Sequence, residues 1–296
     1  MLKFAAIDIG SNAVRLLLSH VFVNSNEEAY FKKISLIRMP IRLGEDVFSD
    51  ATISGEKKGQ LVDTMIGFKY LMEAYEPLNY AACATSAMRE ANNGEEIVEE
   101  VRKKSGISLQ IIDGAEEARI LYSNNIEQQL RLNRSHLYVD VGGGSTEISI
   151  FKKSKLIDSN SFNIGTIRLL KKNVHKSEWE KMKRWLKEST AGINSLYGIG
   201  SGGNINKIFR LAGVSDRKPI SYKKFKQVHH MLNQYTYEER IRTLGLRPDR
   251  ADVIIPASGI YLSVMKWTDI KKMYVPQIGL ADGLIHTLYD QYTAAE

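Results

Sequence analysis

Two stretches of the chain share one pattern of hydrophobic and polar positions. Leu137–Ile150 reads LYVDVGGGSTEISI, in which a short apolar run ends at Asp140, glycines follow, and a second apolar run begins after Glu147. Phe4–Leu18 reads FAAIDIGSNAVRLLL and has the same order, with Asp8 closing the first run. A glycine-rich turn between two apolar runs predicts a β-hairpin. Two such hairpins indicate an internal repeat, and so two similar domains.

The turns of these hairpins have a composition typical of phosphate-binding loops. Glycine permits positive φ and a close approach to the backbone, and successive N–H groups in a turn form a concave anion site. Carboxylates beside such a site indicate a hard cation between the acids and the phosphates. An ordinary glycine-rich hairpin with solvated acids is the alternative that this motif leaves open. The turn residues predicted to bind phosphate are Ser11, Asn12, Gly142, Gly143, Gly144 and Ser145.

Elsewhere the pattern alternates between strand and helix in both halves of the chain. This order predicts mixed sheets flanked by helices, which is typical of the α/β class. We predict strands over Ala29–Leu36, Asn79–Ala84, Leu109–Ile112, Lys155–Phe162, Ser195–Ile199 and Lys272–Val275, and a loop over Arg38–Asp46. We predict helices after Ser54, over Gly94–Lys104, from Ala115 to about Leu130, over Ile205–Leu211, Tyr222–Tyr235, Tyr237–Leu244 and Asp252–Met265, and at the C-terminus.

The composition mainly excludes other classes of protein. The 296 residues suffice for two domains. The net charge of +7 comes with scattered lysine pairs and no DNA-recognition motif, so we expect an anionic substrate and no DNA binding. No apolar run could span a bilayer and no signal peptide precedes the first strand, so we expect no membrane attachment. The single cysteine, Cys83, fits a reducing compartment, and we therefore expect a cytoplasmic protein.

Three further motifs give the chain a resemblance to a known family. They are ATSAMREANN at Ala84–Asn93, GAEEARILY at Gly114–Tyr122 and RADVIIP at Arg250–Pro256. With the two hairpins, their order resembles the exopolyphosphatase/guanosine-pentaphosphate phosphohydrolase (Ppx/GppA) family. The resemblance implies two actin/Hsp70/sugar-kinase-like (ribonuclease H-like) domains around an interdomain cleft. We place these domains at residues 1–132 and 133–296, linked near Asn133–His136, and expect the terminal helix, 283–296, to pack back onto the first domain.

The resemblance also implies an activity. It is that of a hydrolase releasing terminal phosphate from inorganic polyphosphate, guanosine pentaphosphate or both, with Mg²⁺ and optionally a monovalent cation. Glu117 is then the base that activates water and Glu116 its solvated neighbour, although acids favour a helix N-terminus in any protein. Asp140 and Glu147 are expected to hold Mg²⁺. Asp8 is expected to contribute to that site or, equally, to cap its own turn.

Arginines and a second glycine loop complete the expected site. Arg15 and Arg89 are candidate phosphate clamps, since guanidinium binds phosphate in a bidentate manner; an exposed strand arginine is the alternative for Arg15. Gly202, Gly203 and Asn204 lie between a strand and a helix, an arrangement whose N–H groups bind phosphate. The chain departs from the family pattern at Asn204, Ala257, Ile278 and Ala281, positions that concern distal phosphate or nucleotide contacts.

Two rival functions stay open on the sequence. An ATP-dependent kinase or ATPase would use the same fold, and a polyphosphate or guanosine-tetraphosphate sensor would bind without turnover. The motif around Glu117 argues against the kinase, whereas the departures from the family pattern are compatible with a sensor. The Walker-type loop is absent, which excludes a P-loop enzyme. A homodimer is the default expectation for assembly.

Overall fold

The computed structural model describes residues 1–24, 28–124, 135–152, 155–215 and 218–295. The chain divides into two compact units, Met1–Asn124 with Gly279–Glu296, and Asn125–Ile278. The C-terminal segment therefore belongs to the first unit. Of the predicted interdomain link, Asn133 and Arg134 lie outside the described residues, and His136 opens a strand of the second unit.

The first unit is built on β1 (Leu2–Ile9), β2 (Val14–Val23), β3 (Ala29–Met39), β4 (Asn79–Ala84) and β5 (Gln110–Ile111). They form a five-stranded sheet in the order β3-β2-β1-β4-β5. Pairing is antiparallel from β3 to β1 and parallel from β1 to β5. The helices are α1 (Gly44–Asp50), α2 (Gly55–Tyr75), α3 (Ser86–Glu90), α4 (Gly94–Ser105), α5 (Gly114–Tyr122) and the C-terminal helix (Leu280–Ala295).

Local sequence explains how these elements begin, end and pack. β1 is buried from Phe4 to Ile9, which fits its nearly continuous apolar run in a sheet covered on both faces. α5 is capped by Asp113, whose side chain accepts the N–H of Glu116 at 2.8 Å. The C-terminal helix packs against α5 because Gly283 has no side chain: a Cβ there would lie 2.0 Å from a carbonyl oxygen of α5.

The second unit is built on β6 (His136–Val141), β7 (Thr146–Lys152), β8 (Lys155–Phe162), β9 (Tyr197–Ser201), β10 (Ile220–Ser221) and β11 (Lys272–Tyr274). They form a six-stranded sheet in the order β10-β11-β9-β6-β7-β8. The helices are α6 (Thr166–Leu170), α7 (Lys176–Ser189), α8 (Gly203–Leu211), α9 (Tyr222–Gln234), α10 (Tyr237–Arg242), α11 (Pro248–Ala251) and α12 (Ile254–Trp267). Tyr261, Val264 and Ile260 of α12 lie in the hydrophobic core with Leu137 and Val139 of β6.

The two sheets repeat one topology. β6, β7 and β8 form an antiparallel meander as β1, β2 and β3 do, and β9 lies parallel to β6 as β4 lies parallel to β1. β11 continues the parallel part as β5 does, and β10 is an addition at the edge. The repeat that two short motifs indicate therefore extends over both sheets.

The predicted loop over Arg38–Asp46 is wrong at both ends. β3 continues to Met39 because that residue still pairs with Val14 of β2. α1 starts at Gly44, whose N–H donates to the carbonyl of Ser11 at 2.9 Å. A contact distant in sequence thus fixes the helix start, which local pattern does not report.

The helix predicted from Ala115 begins one residue earlier and is described as far as Tyr122. Its predicted extension to Leu130 falls outside the described residues. In the parts of the chain that the structure describes, no helix is both long and apolar enough to cross a membrane.

Candidate active site

The hairpin of the first unit carries an ion pair. Asp8 of β1 lies directly opposite Arg15 of β2, and the Arg15 guanidinium donates from Nη1 to Asp8 Oδ2. Asp8 is 4% exposed, so its charge is balanced within the hairpin rather than by water. The structure therefore places a candidate phosphate clamp and a candidate metal ligand in contact with each other.

Contacts outside the first turn hold its shape. The N–H of Gly10 donates to the carbonyl of Ala13 at 3.1 Å, which closes the turn. The carbonyls of Ser11 and Asn12 accept N–H groups from the segment that leads into α1, at 2.9 and 3.3 Å. Ser11 Oγ also lies 2.8 Å from Ser86 Oγ at the start of α3. Two predicted phosphate-binding residues thus sit on a loop braced by two helices.

Glu117 and Glu116 face different surroundings. Glu117 is 8% exposed in the first turn of α5, whereas Glu116 is partly exposed and pairs with Arg119. Burial raises the pKa of the Cys83 thiol well above its usual value, and the carboxylates of Asp8 and Glu117 raise it further. Because Cys83 neighbours Asp8 in the sheet, Glu117 lies in the neighbourhood of the first hairpin. The sequence assigns Glu117 inward and Glu116 to solvent, and the burial agrees with that assignment.

Arg89 lies at the end of α3 and makes a backbone contact. Its Nη1 donates to the carbonyl of Ile112 at 2.7 Å, in the connection between β5 and α5. Since α5 carries Glu117, this hydrogen bond links the candidate phosphate clamp Arg89 to the helix of the candidate base.

The hairpin of the second unit has two acids where the first has an ion pair. Asp140 of β6 lies directly opposite Glu147 of β7, so both side chains project from the same face of the sheet. Glu147 is 4% exposed, and its Oε1 accepts hydroxyl hydrogen bonds from Ser145 at 2.5 Å and Ser161 at 3.0 Å. Asp140 Oδ2 accepts a hydrogen bond from Ser201 Oγ at 3.1 Å.

This donor set fits a hard cation. Like charges directly across a strand pair destabilise a sheet unless something neutralises them. Mg²⁺ takes oxygen ligands and needs one or two carboxylates when phosphates and water complete its shell. Among the described residues no group of three or more His, Cys, Asp or Glu is placed to hold a metal ion. A cation here would therefore take its other ligands from water and, when substrate is bound, also from the phosphates.

Hydrogen bonds to its carbonyl groups hold the second turn, residues 142–145, in place. The N–H of Thr166 donates to Gly142 O at 3.0 Å, and that of Ile167 to Gly143 O at 2.8 Å. The buried Arg168 donates from Nε to Gly144 O at 2.8 Å. With these carbonyls directed at α6, the N–H groups of Gly143 and Gly144 donate to no acceptor in the described part of the chain. Such N–H groups form an anion site.

The brace depends on a glycine that the sequence did not single out. A Cβ at Gly165 would lie 2.3 Å from the carbonyl oxygen of Gly143. Only a residue without a side chain allows α6 to approach the turn. The signal in the sequence is the glycine before the short helix of NIGTIRLL, and the first unit has a comparable glycine, Gly44, as the first residue of α1.

The predicted second glycine loop lies beside Asp140. Gly202 has φ of 100°, and a Cβ there would lie 2.8 Å from Asp140 Oδ1. Gly203 opens α8, and its carbonyl accepts a hydrogen bond from Nη1 of Arg250, a residue of the RADVIIP motif. Asn204 follows in the first turn of α8 and is half-buried. The structure thus brings Asp140, Glu147 and both glycine loops together in the second unit.

Comparisons with known proteins concern the family and the fold of the chain. The sequence profile described as the Ppx/GppA phosphatase family matches residues 22–291. A bifunctional 3-dehydroquinate synthase/phosphatase of Fusobacterium nucleatum is 26% identical over 285 residues, covering 89% of this chain and 43% of that relative. A guanosine-5'-triphosphate,3'-diphosphate pyrophosphatase of Aliivibrio fischeri is 24% identical, covering 97% of this chain and 59% of the relative. The chain thus spans about half the length of these two relatives.

A solved structure confirms the fold class. The crystal structure of an exopolyphosphatase from Cytophaga hutchinsonii matches with a TM-score of 0.81 at 22% identity, covering 98% of each chain. At this identity the likeness concerns the fold alone. The predicted α/β class, with two mixed sheets flanked by helices, is therefore confirmed.

Proposed function

This chain belongs to the Ppx/GppA phosphatase family, and from that premise we propose that it hydrolyses terminal phosphate from inorganic polyphosphate or guanosine pentaphosphate. The names of relatives support this substrate class: one is a guanosine-5'-triphosphate,3'-diphosphate pyrophosphatase and another is exopolyphosphatase 1 of Mycobacterium tuberculosis. One observation carries the proposal. Asp140 and Glu147 lie opposite each other beside a turn whose carbonyl groups accept hydrogen bonds from the N–H groups of α6.

Glu117 serves as the general base. A buried carboxylate near the first hairpin can accept the proton of a water molecule as its oxygen attacks the terminal phosphorus and the bond to the leaving phosphate breaks. Asp8 is unsuited to this task because Arg15 already neutralises it. The Glu117 oxygen must lie within hydrogen-bond reach of that water when substrate is bound.

The second unit holds the charge of the phosphates. The N–H groups of Gly143 and Gly144 bind phosphate oxygens, and preorganised donors of this kind stabilise charge without rearrangement during the reaction. Asp140 and Glu147 would hold Mg²⁺, which when bound supplies neutralisation of phosphate charge. Ser145 and Ser161 keep the Glu147 carboxylate oriented through its Oε1.

Phosphate release from separate substrates tests the proposal. The purified chain is incubated with polyphosphate, guanosine pentaphosphate or ATP, each with Mg²⁺ and with a chelator. We expect release from polyphosphate or guanosine pentaphosphate that the chelator abolishes, and far slower release from ATP. ATP as the best substrate would favour the kinase or ATPase function. Tight binding of polyphosphate without release would favour the sensor function.

A further inference from the structure

A buried serine connects the Asp140 carboxylate to the core of the second unit. Ser201 ends β9, is 0% exposed, and donates from Oγ to Asp140 Oδ2 at 3.1 Å. The same hydroxyl lies 3.2 Å from the carbonyl of Ile278. An ionised carboxylate is the stronger acceptor of these two, because a charged partner roughly doubles the strength of a hydrogen bond.

The backbone of Ser201 is held in turn by a tyrosine. Tyr261 of α12 donates its hydroxyl hydrogen to the Ser201 carbonyl at 2.5 Å. Tyr261 is 0% exposed, so its hydroxyl would cost free energy without this acceptor. Burial and the charge of Asp140 raise the pKa of Tyr261, so the hydroxyl keeps its proton and remains a donor.

The position of the backbone at Gly202 affects the orientation of the Asp140 carboxylate. Gly202, the next residue, takes φ of 100°, and a Cβ on it would lie 2.8 Å from Asp140 Oδ1. One carboxylate oxygen thus lies close to the backbone of Gly202, and the other accepts the Ser201 hydroxyl hydrogen. A small displacement of this backbone would therefore rotate or shift the Asp140 carboxylate.

We propose that Tyr261 is a positioning residue that fixes Ser201 and thereby orients Asp140 for the divalent cation. This inference rests on the proposed function, in which Asp140 is a metal ligand. Groups that hold a metal ligand in place change metal affinity or activity by about 10–100-fold when removed. Tyr261 acts one step further away, so we expect a smaller effect than for Ser201.

Two variants and a control test the inference. Tyr261→Phe removes only the hydroxyl, Ser201→Ala removes only the direct hydrogen bond to Asp140, and Tyr274→Phe is a matched control on β11. Mn²⁺ binding is measured by calorimetry without substrate, and the Mg²⁺ concentration for half-maximal phosphate release is measured with polyphosphate. We expect both to weaken about threefold to tenfold in Tyr261→Phe, by the loss of one hydrogen bond. We expect about tenfold or more in Ser201→Ala and no change in the control.

The double variant separates positioning from general destabilisation. If both residues act on one carboxylate, Tyr261→Phe combined with Ser201→Ala should weaken Mn²⁺ binding no more than Ser201→Ala alone. Additive losses, or wild-type Mn²⁺ binding in folded Tyr261→Phe, would overturn the inference. If Tyr261→Phe does not fold, unchanged Mn²⁺ binding in Ser201→Ala overturns it. Wild-type turnover independent of divalent cations would instead refute the metal site itself, and the inference with it.

Discussion

The two hairpins share one backbone and differ in charge. In each, the first turn residue donates its N–H to the fourth residue's carbonyl, Gly10 to Ala13 at 3.1 Å and Gly142 to Ser145 at 3.0 Å. In each, the start of a following helix caps the carbonyls of the turn. Across the strands, however, Asp8 faces arginine in the first hairpin, and Asp140 faces glutamate in the second.

This difference separates two kinds of chemistry. The first hairpin neutralises its own carboxylate and leaves Glu117 as the buried acid nearby. The second leaves two carboxylates side by side beside a turn suited to anions. The same type of hairpin can thus lie beside a general base in one unit and form a cation site in the other. Substitutions in each hairpin can contradict or refine that division.

The largest expected effect is at the candidate base. Glu117→Gln keeps the size and hydrogen bonding of the side chain but cannot accept a proton, so phosphate release should fall about 10²–10⁴-fold. Because the cation site is assigned to the other unit, Mn²⁺ binding should be unchanged. Steady-state kinetics and calorimetry on the same preparation measure both quantities.

Glu116→Gln is the matched control for this experiment. Glu116 is the chain neighbour of Glu117 and is partly exposed with Arg119 as its partner, so its loss should leave turnover near that of the wild type. Equal behaviour of the two variants would refute the assignment of the base. Weakened Mn²⁺ binding in Glu117→Gln would refute the division of roles between the units.

The next effect concerns metal binding and compares the hairpins directly. Asp140→Asn and Glu147→Gln should each weaken Mn²⁺ binding by at least about 100-fold, since groups that merely support a ligand already account for about 10–100-fold. Asp8→Asn is the equivalent change in the first hairpin and should leave Mn²⁺ binding unchanged. The opposite result, with Asp8→Asn losing the metal, would move the cation to the first hairpin.

Local pattern was sufficient to predict both hairpins, whereas the choice of Glu117 over Glu116 came from the family resemblance of the GAEEARILY segment. The aspartate–glycine spacing places Asp8 and Asp140 at strand ends, and the structure has them there. The resemblance gave Glu117 as the base and Glu116 as its solvated neighbour, and Glu117 is the more buried of the two. The hairpins depend on residues close together in the chain, where periodicity and turn composition are informative.

Side-chain pairing and contacts between distant segments could not be predicted in this way. Arg15 was a candidate phosphate clamp, yet the register of its own hairpin makes it the partner of Asp8. The contacts of Gly165 with the second turn and of Tyr261 with Ser201 join segments that only the folded sheet brings together. No period of hydrophobic residues reports which backbone carbonyl a distant side chain reaches.

The third prediction tests the glycines that brace the two turns. Gly165→Ala would place a methyl group 2.3 Å from Gly143 O, a backbone atom that cannot move without displacing the turn. Gly44→Ala would meet chiefly the ring of Phe48, at 2.6 Å, which can rotate. We expect a loss of about 3 kcal/mol in unfolding free energy for Gly165→Ala, and clearly less for Gly44→Ala. Urea denaturation measures both, and equal losses would contradict the difference.

The fourth prediction concerns the ion pair of the first hairpin. Arg15→Met leaves the buried Asp8 carboxylate without its guanidinium. Breaking a fully buried pair costs about 3–5 kcal/mol, and because Arg15 is partly exposed we expect about 2 kcal/mol. Asp8→Asn combined with Arg15→Met should recover part of this loss, since no charge is then left unpaired. A double variant less stable than Arg15→Met would show that the pair is not the source of the cost.

The smallest expected effect is an acid sensitivity specific to the first unit. Phe31 of β3 stacks on His286 of the C-terminal helix with ring centroids 3.6 Å apart, and burial lowers the pKa of His286 to about 4. His286 binds a proton near pH 6.5 in the unfolded chain but only near pH 4 in the folded chain. The contribution of neutral His286 to the free energy of unfolding is therefore fully present above pH 6.5 and is lost as the pH falls from 6.5 to 4.

One pKa unit corresponds to about 1.4 kcal/mol, and because the ring is only partly buried we expect about 1–2 kcal/mol to be lost. His286→Phe keeps the stacking and removes the titration, so it should reduce the loss in the first unit between pH 6.5 and pH 4. The exposed His175, replaced by Gln, is the control and should behave as wild type. Hydrogen exchange read by mass spectrometry at the two pH values follows each unit separately. An equal acid loss in wild type and His286→Phe would remove this residue as the cause.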